Sequence, residues 1–241
     1  MAHTPTLDRT VGQLVAEQPA RSRIFERLGI DYCCGGGRSL ADACAAKRLD
    51  AQAVLRDLEA CDAAAPAPET DWTQATLTEL CDHIEQTHHA YLRQALPRLS
   101  ALTEKVARAH GAKDPRLLDL HATFGGLRAE LEAHMAKEEF ILFPLCRQLE
   151  GATARPRFHC GSVQNPIRVM VAEHADAGEA LEEMRALTDD FTPPVGACNT
   201  YRAMLQALEE LEADLHQHVH KENNLLFPRA AEAEAALAPA E

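Results

Sequence analysis

This chain has little of several things. Aromatic side chains make up 5% of its 241 residues, with a single Trp, and β-branched residues are sparse. Both shortages disfavour sheets, whose pleated, half-buried faces are filled by those residue types. No apolar run approaches the roughly 20 residues that a membrane-spanning helix needs. Basic charge is also scarce: 24 Lys and Arg stand against 37 Asp and Glu, a net charge of −13. That argues against nucleic acid, whose recognition needs a basic footprint. The opening MAHTPTLDRT has neither a basic n-region nor an apolar h-region, so no export signal is expected and the cytoplasm is the expected compartment. Eight cysteines in such a chain are expected as reduced thiols, not as a disulfide framework.

What remains is rich in Ala, Leu, Glu and Arg, all helix formers, with 46% hydrophobic residues to build a core. An all-α fold follows. In residues 1–61 the pattern predicts a small helical domain. Thr10 caps a helix ending near Pro19, and a second helix runs to Leu28 before Gly29. Ser39 and Asp50 cap two more, the last ending near Cys61. Residues 62–71 hold two prolines and no apolar period, which reads as a linker. Residues 72–241 carry four long helical stretches: Leu77–His110, Pro115–Glu150, Pro166–Asp189 and Asn199–Ala236. Prolines 97, 144 and 228 are expected to kink or end the local helix. Four such helices with short connections make an up-down-up-down four-helix bundle.

Two stretches of this bundle repeat each other. LEAHMAKEEFILFPL (131–145) and LHQHVHKENNLLFPR (215–229) align at an offset of 84 residues, pairing His134 with His218 and Glu138 with Glu222. Each pair is His-x-x-x-Glu, an i, i+4 spacing that a helix places on one face. At an offset of 85, His89-Ala and Ala-Leu96 fall on His174-Ala and Ala-Leu181. Each half thus offers one His from its first helix and a His/Glu pair from its second. Four imidazoles and two carboxylates exceed one closed tetrahedral site and suit two metals, with both carboxylates bridging. An oxo or hydroxo bridge and one open position would complete each ion. Mixed N/O donors with an open position favour iron or manganese.

Other residues read less sharply. His216 and His220 point to other faces than His218, and His88 has no repeat partner that is His. His83, His110, His121 and His159 read as surface or outer residues. Glu130 and Glu173 could accept a ligand imidazole's N–H or line an access path, and Asp214 could do the same for His218. Cys33 and Cys34 sit before three glycines, on backbone expected to be loose, where thiols could reach a metal, a partner thiol or a nitrosyl group. Of the remaining cysteines most read as buried apolar residues, with Cys160 the expected exposed one.

Asp-Tyr-Cys-Cys-Gly-Gly at 31–36, His-Met-x-Lys-Glu-Glu-x-x-Leu-Phe-Pro at 134–144 and His-x-x-x-Glu-Asn-Asn-x-Leu-Phe-Pro-Arg at 218–229 closely resemble the Repair of Iron Centers proteins. Glu173-His174-Ala-Asp-Ala-Gly178 and Pro193-Pro194 with Cys198 match as well. The resemblance covers almost the whole chain and implies a hemerythrin-like bundle behind a small Cys-Cys domain. It implies two non-haem iron ions held by His89, His134, Glu138, His174, His218 and Glu222, with Glu130 and Glu173 lining a channel. The implied function is repair of iron–sulfur clusters damaged by nitric oxide or oxidants, by binding NO or supplying iron, with Cys33 and Cys34 relaying a nitrosyl or electrons. Its expected partners are NO or another small diatomic molecule, damaged iron–sulfur proteins, and a second copy in a homodimer, with neither nucleic acid nor membrane. The alternatives are an O2 or NO sensor or carrier and a di-iron NO reductase. Residues 155–160 and the extra cysteines depart from the pattern.

Overall fold

Thr10 opens the first helix by a reciprocal cap: its hydroxyl accepts from the Gln13 N–H while the Gln13 side chain accepts from the Thr10 N–H. The computed structural model describes residues 4–64 and 70–238. Among these the fold is all-α, and the one β-type pairing is an isolated bridge between Thr10 and Ser39. Two compact units form, one from residues 1–81, 149–156 and 216–241, the other from 82–148 and 157–215.

In the first unit four short helices follow the predicted caps: α1 (Val11–Glu17), α2 (Ser22–Leu28), α3 (Leu40–Ala46) and α4 (Ala51–Ala64). The Ser39 hydroxyl accepts from the Asp42 N–H, and the Asp50 carboxylate from the Gln52 N–H. Gly29 (φ 62°) ends α2 in the left-handed region. Helix α4 runs on to Ala64. Of the linker read at 62–71, residues 65–69 lie outside the described residues. Val11, Leu14, Phe25, Tyr32, Leu40, Val54 and Leu58 form the core with Val219. Arg21 is fully buried and is held by the Asp62 carboxylate at 2.9 and 2.5 Å and by the Leu14 carbonyl at 3.0 Å. Those bonds tie the end of α1 to α4 and offset the cost of burying a guanidinium.

The second unit is built from α6 (Ala90–His110), α7 (Arg116–Lys137), α9 (Gln164–Leu187) and the first part of α10 (Asn199–Lys221). Leu92, Leu96 and Leu99 of α6 meet Phe124, Leu127 and Leu131 of α7, Leu181 and Met184 of α9, and Leu208, Leu211 and Leu215 of α10 in one core. Their spacing of three, four and seven residues is what an amphipathic helix requires. Helix α7 packs against both α6 and α9. The remaining α-helices among the described residues are α5 (Leu77–Ile84), α8 (Phe143–Leu149) and α11 (Phe227–Ala236).

None of the three prolines ends its helical stretch. Helix α6 continues through Pro97. Pro144 and Pro228 neither end nor break their stretches. Each follows a wider π-helical turn, Glu138–Leu142 before α8 and Glu222–Leu226 before α11. A proline cannot donate to the carbonyl four residues back, and the turn before each one rewinds: Phe143 N–H donates to the Glu138 carbonyl, and Phe227 N–H to that of Glu222, five residues back. A third π turn, Glu85–His89, joins α5 to α6.

Candidate metal centre

π turns put an extra residue into a helix and re-aim the side chains around it, often at functional sites. Here each begins or ends on a donor: His89 closes the first, Glu138 opens the second and Glu222 opens the third. His134 lies one turn before Glu138 on α7, and His174 is midway along α9.

Within the second unit four of these donors converge. His89, His134, Glu138 and His174 are all buried, Glu138 with no exposure at all. Glu138 Oε2 is 3.3 Å from His89 Nε2 and Glu138 Oε1 is 3.4 Å from His134 Nε2. His174 Nε2 is 3.2 Å from His134 Nε2. Neither Glu138 oxygen receives a hydrogen bond. A fully buried carboxyl in that condition costs about 1–3 kcal/mol or more unless something else compensates it. A cation is the partner that this donor set suits.

Carboxylates behind two of the imidazoles fix their tautomers. Glu139 Oε1 lies 2.6 Å from His89 Nδ1, and Glu173 Oε2 lies 2.9 Å from His134 Nδ1. A carboxylate there must accept, so Nδ1 carries the proton and Nε2 presents its lone pair to the interior. Glu139 also receives Arg93, and Glu173 receives Lys137. Burial works against the charge on Glu173, but hydrogen bonds from Lys137 and His134 outweigh it and hold this carboxyl below its ordinary range.

His218 and Glu222 belong to the first unit, both buried, with His218 Nε2 2.9 Å from Glu222 Oε1. In the second unit Glu138 thus has His89 on one side and His134 with His174 on the other; in the first, His218 and Glu222 pair with each other. These are the six residues that the repeat selects.

The Cys33–Cys34 loop is not loose. The Asp31 carboxylate accepts from the N–H groups of Cys33, Cys34 and Gly35 at 3.0, 2.9 and 2.7 Å and from the Cys33 thiol at 3.2 Å. Cys33 is buried and Cys34 exposed. The Cys34 thiol beside it, burial and the nearby Asp31 carboxylate together push the Cys33 thiol far above the ordinary range. Of the two thiols, Cys34 is the one that reagents in solution can reach. Brief treatment with iodoacetamide at pH 8 is expected to label Cys34 at least about tenfold faster than Cys33, read by peptide mass spectrometry. Equal labelling would contradict this division.

The remaining candidates are scattered. Glu130 is exposed, and among the described residues it meets no ligand imidazole. Asp214 accepts from His88 Nδ1 at 2.9 Å. His216 and His220 lie edge-on to the Tyr32 ring, and His220 is buried. Burial pushes its pKa down to about 4, so its ring is neutral. Cys198, not Cys160, is the exposed cysteine outside the N-terminal loop; Cys160 is half-buried, its thiol 3.5 Å from the Ser162 carbonyl. Glu139 was not singled out by the sequence. Its one signal is asymmetry: the repeat places Asn223 opposite it.

Comparison with known proteins points the same way as this geometry. Residues 82–230 match the hemerythrin HHE cation binding domain, and residues 7–62 match ScdA_N, a domain of unknown function. The chain is 44% identical over 223 residues to the iron–sulfur cluster repair protein YtfE of Edwardsiella ictaluri, covering 92% of this chain and 96% of that one. It is 41% identical over 225 residues to the proteins of the same name from Citrobacter koseri and Escherichia coli O157:H7, with the same coverage. Among the described residues no helix is long and apolar enough to cross a membrane.

Proposed function

Since the chain belongs to the family of YtfE-type iron–sulfur cluster repair proteins, with a hemerythrin HHE cation binding domain, we propose that it is a di-iron protein that helps restore iron–sulfur clusters damaged by nitrosative or oxidative stress. The observation that carries this reading is Glu138, a wholly buried carboxyl without a hydrogen bond, flanked by the Nε2 atoms of His89 and His134. His89 and His218 would hold one iron, His134 and His174 the other, and Glu138 and Glu222 both. Iron bound there supplies open coordination positions and one-electron chemistry for NO or another small diatomic molecule. The protein's part is to orient the imidazoles through Glu139 and Glu173 and to keep the donors dry.

In this reading residues 72–241 form an up-down-up-down bundle and residues 1–61 carry the thiols, joined by 62–71. Cys34, backed by Cys33, exchanges a nitrosyl group or electrons with the client, a damaged iron–sulfur protein of the cytoplasm. Glu173, with Lys137, and the outlying Glu130 mark the route by which small molecules approach. A homodimer would let the thiols serve a second copy.

Metal analysis with absorption spectroscopy tests the centre. About two irons per chain are expected, lost from both His134→Ala and Glu222→Ala. Replacing Cys33 and Cys34 together by Ala should leave the iron in place and lower reactivation of an NO-damaged cluster enzyme by about tenfold or more. A wild-type protein that takes up no iron would end this reading, and reversible O2 binding without any repair would move it to the carriers.

A further inference from the structure

The helix that carries His218 and Glu222 has a second polar face. Gln217, His220 and Asn224 follow one another at spacings of three and four, and all three reach Tyr32 or its neighbour. The Gln217 amide donates to the Tyr32 hydroxyl at 2.9 Å, which itself donates to Glu26 at 2.8 Å. His220 Nδ1 is 3.4 Å from the Tyr32 carbonyl. The Asn224 amide donates to the carbonyls of both Tyr32 and Cys33, at 3.3 and 3.0 Å.

Asn224 fits because two side chains are absent. A Cβ at Gly12, in the first turn of α1, would lie 2.2 Å from Asn224 Oδ1, and a Cβ at Gly36 would lie equally close. Real Cβ atoms do not approach an oxygen that closely, so only glycine leaves the slot open. The slot is closed on its own side by backbone bonds: Gly12 N–H donates to the Gly36 carbonyl and Val11 N–H to that of Arg38, both at 2.9 Å. The carboxamide thus faces α1 and the glycine loop, with its amide on the carbonyls of the peptides before and after Cys33. Asp31 shapes the loop from within; Asn224 ties it to the π turn beginning at Glu222.

We propose that Asn224 is the positioning residue of the thiol pair, clamping the Cys33–Cys34 loop to the turn that carries Glu222 so that loop and carboxylate move as one piece. The metal-linked half of this inference rests on the reading of Glu222 as an iron ligand. Ordering of that turn by metal would then be felt at Cys34, although Asn224 touches neither sulfur.

Asn224→Asp keeps the shape of the side chain and loses both donors; Asn224→Ala loses the shape as well. Full-length wild type and both variants are compared in chelator-treated and iron-loaded form. Hydrogen exchange of residues 31–36 and the alkylation rate of Cys34 are the readouts, with iron content and far-ultraviolet circular dichroism alongside. In chelator-treated protein, loss of two hydrogen bonds should speed exchange at 31–36 by about tenfold. Iron loading should slow Cys34 alkylation in wild type and leave it unchanged in both variants, each still holding wild-type iron. Wild-type exchange rates in metal-free Asn224→Asp would overturn the clamp. Clamped kinetics with a Cys34 rate indifferent to iron in wild type would overturn the coupling. A wild type that takes up no iron would also overturn the coupling and defeat the di-iron reading, but the metal-free comparison would still decide the clamp. Should Asn224→Ala fail to fold, the isosteric Asp variant carries the test.

Discussion

Glu138→Met is expected to abolish iron retention and, at the same time, to make the metal-free protein harder to unfold. The two effects have one cause. Glu138 has no exposure and neither oxygen is hydrogen-bonded, so in the absence of a cation its desolvation is uncompensated. Methionine has similar length and volume, so the packing is kept while the polar atoms go. Removing a buried polar group of this kind is worth about 1–3 kcal/mol of stability. Urea unfolding of chelator-treated proteins reads this directly. The iron arm is the larger. Glu138 lies between His89 Nε2 and His134 Nε2, which the di-iron reading gives to different ions, so its loss is expected to cost both rather than one. A variant as unstable as Ala substitutions in a core, with iron still bound, would show that Glu138 serves packing instead of metal.

The contrast between what could and could not be read beforehand has a physical basis. Helix starts were legible at Thr10, Ser39 and Asp50 because a cap is a local contract between a side chain and an N–H two or three residues on. The long helices were legible because their apolar spacing repeats over many turns. The six candidate donors stood out because the chain repeats itself, so that each one is singled out twice. None of this extends to features made by tertiary packing. The π turns depend on one extra residue per turn, which leaves the apolar pattern almost unchanged; Pro144 and Pro228 hinted at them, but as breaks. That Glu139 would stand behind His89, and Glu173 behind His134 rather than its own neighbour His174, depends on which helix faces which. The glycine loop illustrates the same point from the other side. Three glycines read as freedom, whereas Gly36 is there to admit Asn224, and Asp31 holds Cys33 in a buried position.

In the di-iron reading, removing the outer carboxylates one at a time should separate the two ions. Glu139 accepts from His89 and Glu173 from His134, and the di-iron reading gives those imidazoles to different ions. An imidazole that loses its carboxylate partner loses its fixed tautomer, its orientation and part of its basicity, a change that lowers metal affinity by about 10–100-fold. Glu139→Ala should therefore weaken the iron held by His89, and Glu173→Ala the one held by His134 and His174. The stranded cations are tolerable. Arg93 and Lys137 are exposed enough, at 53% and 42% of their side chains, to return to water, so neither variant should unfold. Titration with ferrous iron in competition with a chelator should then show one tight and one weakened site in each single variant, and two weakened sites in the double. Equal weakening of both sites by either substitution would mean that the ions bind as a single cooperative unit, with Glu138 and Glu222 transmitting the loss from one to the other. No weakening in either variant would mean that packing alone, including the stack of His89 on Phe143 at 5.7 Å, sets the direction of the imidazoles.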